Sequence, residues 1–148
     1  MKFFKEYGSK NRLFEMYGRV NKLDETVLEN KLREYVINDF VNYVNEYLKL
    51  IETKPNVVIS YDENEAAEMS SFGKYTPNTG EIRVVATNRN LADVLRTLAH
   101  EMVHFKQHLE DRLMSNSNED GSEIENEANS TAAIIMRKFG RDNPIIFE

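Results

Sequence analysis

All three histidines of this 148-residue chain lie between positions 100 and 108. Two of them frame His100-Glu101-Met102-Val103-His104, an H-E-x-x-H sequence. On a helix, side chains four residues apart sit one turn apart on one face, so both imidazoles can reach one ion. Any fold for this chain must therefore present that helical face to a cleft and bring further donors to it. The supply is restricted. With no cysteine, disulfides, thiolate metal sites and cysteine nucleophiles are excluded, and no histidine follows position 108. A catalytic zinc site wants three protein ligands and one open position, so by elimination the third donor is a carboxylate.

The spacing of apolar residues supplies the surrounding elements. Residues 24–52 read as a helix from Val27, Leu28, Leu32, Tyr35, Val36, Phe40, Val44, Tyr47, Leu48 and Ile51, with Asp24 as cap and Pro55 blocking continuation. Val57 to Tyr61 reads as a short strand, and 62–69 as an acidic loop or helical turn. Segments 70–76 and 81–87 flank Pro77-Asn78-Thr79-Gly80, which predicts a β-hairpin. Asn90, with Asp93 three residues on, opens a helix to about Asp111. A polar loop over 112–121 leads to a helix from Ser122 to Phe139, with Gly140 as its left-handed cap. Pro144 to Phe147 forms an apolar tail that docks on the domain or covers the cleft. The fold class expected is α+β, in one domain over residues 24–148.

Charge and hydropathy narrow the partners. The net charge is −6, with 25 acidic against 19 basic residues, which disfavours a nucleic-acid surface and anionic membranes. No apolar run approaches the roughly 18 residues of a membrane span. The start lacks the apolar core of a secretory signal, so the expected location is cytoplasmic. Residues 1–23 read as an aromatic-anchored arm or leader. Phe4, Tyr7, Gly8 and Asn11 recur there as Phe14, Tyr17, Gly18 and Asn21. The segment is similar to the capsid-targeting leaders of some tailed phages, cut after Leu-x-Glu; Leu13-Phe14-Glu15 fits that pattern, and a virion or other protein partner would bind through the arm.

On a wheel of about 100° per residue with His100 at zero, His104 falls at about 40° and Glu101 at about 100°. Leu91, Val94, Leu98, Met102, Phe105 and Leu109 cluster at roughly 120–200°. The histidine pair and the apolar stripe thus occupy different faces. His108, at about 80°, reads as a surface or supporting group rather than a ligand.

The acidic start of the last helix offers the third ligand. Ser122-Glu123-Ile124-Glu125 is a capping box, which gives Glu125 a structural task. Glu123 suits the helix dipole. Glu127 sits deeper, beside Ala128, Ala132 and Ala133, whose small side chains permit close approach. Glu127 is therefore the expected metal ligand, with Glu123, one turn earlier on the same face, as second choice.

His100-Glu101-x-x-His104 followed by Asn126-Glu127-Ala128-Asn129 resembles the gluzincins, zinc peptidases in which a Glu on a second helix completes the ion's shell. It is similar, too, to the minimal gluzincins and to small predicted zinc peptidases of tailed phages, over about residues 55–140. The metzincin extension is absent, since Gln107 and Glu110 stand where it needs Gly and His, and deformylases need a cysteine ligand. Thr131 stands where thermolysin-like enzymes carry the Asp that orients a ligand histidine, leaving Asp93 as a weak substitute.

The resemblance implies a zincin-like fold and a zinc-dependent metallopeptidase holding one Zn²⁺ per chain through His100, His104 and Glu127. A zinc-activated water would attack the peptide bond, with Glu101 as general base. The substrate would be a peptide or protein paired with an edge strand, for which Glu81 to Ala86 is the candidate. Tyr75, Tyr61 and His108 are open candidates for an oxyanion donor. The competing expectation is a non-catalytic metal-binding structural or adaptor protein.

Overall fold

A computed structural model describes residues 22–112 and 122–147 of the chain. The expected N-terminal arm, but for its last two residues, lies outside the described residues, as does most of the polar loop before the last helix. The architecture is α+β: among the described residues there are four helices and one three-stranded mixed sheet. In chain order the elements are α1 (Lys22–Tyr47), β1 (Asn56–Ser60), α2 (Glu65–Met69), β2 (Gly73–Thr76), β3 (Glu81–Val85), α3 (Leu91–Leu109), α4 (Glu123–Asp142) and a 3₁₀ turn, Pro144–Phe147. Among the described residues no helix is long and apolar enough to cross a membrane.

Helix α1 buries Leu32, Val36, Phe40 and Val44, a stripe at four-residue steps. Its described span is Lys22–Tyr47, and Asp24 lies within it. The helix stops well before Pro55. Lys49 adopts a left-handed conformation (φ 59°), and the Leu50 N–H returns to the Asn45 carbonyl. Both Leu48 and Leu50 are then buried. Burial of these two leucines offsets the roughly 1 kcal/mol cost of a non-glycine residue in that conformation.

Two pairings build the sheet. The predicted hairpin forms, with β2 antiparallel to β3 and Gly80 at φ 69° in the turn. β1 then pairs parallel to the other edge of β3, with Val58 opposite Arg83 and Ile59 opposite Val84. The order β1-β3-β2 makes β3 the central strand. Segment Glu81 to Ala86 therefore has no free edge, contrary to the expectation for it. Being central explains the full burial of Ile82 and Val84. The strand edge beside α3 is β2.

Helix α3 is capped by Asn90, whose side chain accepts from the Asp93 N–H. It packs most extensively on α4 and also meets α1, β2 and β3. Enclosed this way, it buries residues on most of its circumference: Val94, Leu98 and Met102 on the predicted stripe, and Leu95, Ala99 and Val103 beyond it. Leu109, the last member of the stripe, is exposed. Gly140 is not a cap. It lies inside α4, where any Cβ would overlap the Phe147 ring, so its role is close approach. The Pro144–Phe147 turn folds back there, burying Ile145 and Ile146, and none of its residues lines the cleft.

Candidate metal centre

Between the β2 edge and the first turn of α4 lies an open cleft of about 580 Å³. His100, Glu101 and His104 line its α3 wall, Glu125 the α4 side, and Gly73, Lys74 and Tyr75 the strand side. His100 and His104 meet edge-on, ring centroids 4.6 Å apart, with their Nε2 atoms 3.0 Å from each other. One carboxylate spans both. Glu125 Oε1 lies 2.8 Å from His100 Nε2, and Oε2 lies 3.2 Å from His104 Nε2. The donor atoms of His100, His104 and Glu125 fall within 4.8 Å of one another, a group that could hold a metal ion. Two imidazoles and one carboxylate suit a divalent transition metal.

The carboxylate that meets the histidines is thus Glu125, not Glu127. The reason is helical geometry. Residues two apart on a helix point about 200° from each other, so Glu125 and Glu127 cannot face the same cleft. Ala128, Ala132, Ile135, Met136 and Phe139 form the buried stripe of α4, and Glu125 lies on that stripe. Glu127 points away from it and forms a bidentate pair with Arg112. Glu123, on the Glu127 face, is exposed. The capping box does more than cap: the Ser122 hydroxyl accepts from the Glu125 N–H, while the Glu125 carboxylate extends to the histidines. The wheel that located the histidines on α3, applied to α4, would have picked Glu125.

Two amides orient the ligand candidates. The buried Gln107 sets its Oε1 2.8 Å from His104 Nδ1, and the Asn129 side chain hydrogen-bonds His100. Asp93 plays no such part; it pairs with Arg96 on the surface. His104 is 5% exposed, so at this turn the histidine face of α3 is enclosed by the packing of α4. Burial, followed by the neighbouring His104, holds the His100 imidazole below its ordinary range.

Glu101 sits apart from this group, beneath β2. Gly73 allows that approach: a Cβ there would overlap the Thr97 methyl and lie 3.2 Å from Glu101 Cγ. A glycine within a strand pattern is the sequence signal for such contact. The Tyr75 backbone N–H donates to the Glu101 carboxyl. Burial pushes that carboxyl up to about 7, with the charge of Glu125 adding to the rise. The hydroxyl of Tyr75, a residue of the cleft wall, lies 2.6 Å from His108 Nδ1. Tyr61 is elsewhere, lining a separate surface pocket with Ile37 and Ile59.

No protein-family model, characterised protein or solved structure shows significant similarity to the chain.

Proposed function

We propose that this chain is a zinc-dependent metallopeptidase of the gluzincin type, with His100, His104 and Glu125 holding one zinc ion. The observation that carries the reading is Glu125 bridging the two histidines of an H-E-x-x-H helix while Glu101 stands aside in the same cleft. The donor set fits zinc, which takes imidazole nitrogens and carboxylate oxygens in sites that keep a position open. Bound there, zinc supplies Lewis acidity toward a carbonyl and makes water acidic enough to ionise near neutral pH.

The protein's own groups do the rest. Glu101, with its carboxyl raised to about 7, is poised to take a proton from water and return it to a leaving amine near neutrality. Its position on the wall under β2 keeps it out of the donor group. The Phe72 carbonyl accepts from the Val85 N–H, so by the alternation of an antiparallel ladder Lys74 and Thr76 also face β3 and Gly73 and Tyr75 turn their backbone groups outward. An extended peptide would pair along this edge, which corrects the strand expected from the sequence. The Ser71 hydroxyl, which bonds the Gly73 N–H and C=O, and the Glu101 carboxyl, which accepts from the Tyr75 N–H, would both have to yield.

The resemblance also changes register. Counted from Glu125, the residue four positions on is Asn129, which bonds His100 where thermolysin-like enzymes carry an Asp. An amide there supports the same orientation without a second charge.

The test is a peptide-library cleavage assay on the full chain, with and without a chelator, together with elemental analysis. Chelator-sensitive cleavage and about one zinc per chain are expected. A chain that purifies and reconstitutes without zinc would sink the reading.

A further inference from the structure

We infer that Gln107 is a positioning residue, which keeps the His104 ring proton on Nδ1 so that Nε2 presents its lone pair to a metal ion. Glu127 and Arg112 hold Gln107 in that pose. The inference rests on the metal-site reading above and extends it to residues outside the donor group.

The hydrogen bonds leave one consistent assignment. Gln107 is fully buried, so water does not compete for its amide. Its Nε2 donates to the Ile124 carbonyl at 3.1 Å and to Glu127 Oε1 at 3.3 Å. Both of these are oxygen acceptors, so the nitrogen of the amide must face them. A flipped amide would set three oxygens against one another. The carbonyl oxygen of Gln107 is thereby aimed at His104 Nδ1, 2.8 Å away, and that nitrogen must carry the proton. His104 Nε2 is left unprotonated in the neutral ring and faces His100 and Glu125.

Glu127 fixes the amide from behind. Arg112 grips its carboxylate with both terminal guanidinium nitrogens, one of them at 2.9 Å. The chain Arg112–Glu127–Gln107–His104 thus runs from the surface to the ligand across the α3–α4 interface. Metal-bound histidines generally rely on such an acceptor at the second nitrogen. Here a glutamine three residues along the same helix supplies it, and an acid from α4 anchors the glutamine.

The experiment uses the full chain, metal-free, at mildly alkaline pH where imidazole is neutral. A two-bond ¹H–¹⁵N spectrum reports which ring nitrogen of His104 is protonated, and chelator competition with zinc alone gives the affinity. The wild type should show Nδ1–H. Gln107→Leu should free the proton to move to Nε2 and weaken zinc binding about 10- to 100-fold. Gln107→Met, nearly isosteric, carries the same test if the leucine variant does not fold. An Nε2–H tautomer in the wild type overturns the inference. So does a variant that binds zinc like the wild type, or one that loses melting temperature with the ring proton unmoved. A wild type that shows Nδ1–H yet takes up no zinc overturns the metal reading instead, and the role of Gln107 toward a metal with it.

Discussion

The two sides of the first turn of α4 make different uses of the same residue type. On the cleft side Glu125, half-buried, spans two imidazoles with both oxygens. On the far side Glu127 lies in a bidentate pair with Arg112 and reaches the site only through Gln107. The Arg112 hydrogen bonds hold the Glu127 carboxyl below its usual range. Two residues of sequence thus separate a candidate donor from an acid that meets the site through a neighbour. A carboxylate's task follows from which neighbour the helix turns it toward, and the helix is oriented by its apolar stripe.

Substitutions should enlarge or collapse that contrast. The largest effect belongs to the third acid of the site. Glu101→Gln should cut peptide hydrolysis by about 10²- to 10⁴-fold while zinc content stays at the wild-type level. Zinc retained with full turnover would remove Glu101 from the chemistry. Next comes Glu125→Ala, which deletes one of three donors and should weaken zinc binding by more than about 100-fold in chelator competition. If Glu127→Ala did so instead, the assignment of the two sides would be reversed.

Gly73→Ala probes the approach of β2 to α3. The added methyl meets Thr97 and the Glu101 stem, and should cost about 1–3 kcal/mol in denaturant unfolding. An unchanged midpoint would mean that β2 does not depend on this contact. Glu101 also predicts a pH dependence. Its folded value, about 7 against an ordinary 4.5, is raised, so its proton stabilises the fold in acid. That contribution is lost as the pH rises from about 4.5 through about 7. Above that window Glu101→Gln should stabilise the metal-free protein by about 2 kcal/mol, allowing for solvent screening in the open cleft. A melting temperature equal to wild type at alkaline pH would contradict it. Glu127→Ala should have the smallest effect. It removes a half-exposed ion pair, worth about 1 kcal/mol or less, and loosens zinc by less than about tenfold. A loss matching that of Glu125→Ala would erase the contrast.

The parts of this protein that the sequence determined are those set by neighbours along the chain. The H-E-x-x-H spacing puts His100 and His104 on one face because a helix repeats every few residues. Asn90 and Ser122 cap their helices through bonds to residues three positions on. Pro77 to Gly80 turns the hairpin by its own backbone preferences. Glu125 was legible as well, since the stripe from Ala128 to Phe139 carries the information; reading its capping box as its whole task concealed the rest. Other features depended on elements remote in sequence. The parallel arrival of β1 made β3 central and left β2 beside the cleft, a pairing across a crossover that no local signal specifies. Gly140 became a packing point only because Phe147 folds back on it. The tertiary structure likewise decided that Gln107, unexceptional in the sequence, would be enclosed between α3 and α4. Once water was excluded there, each polar atom needed a partner in the protein, and His104 was the one left for its carbonyl.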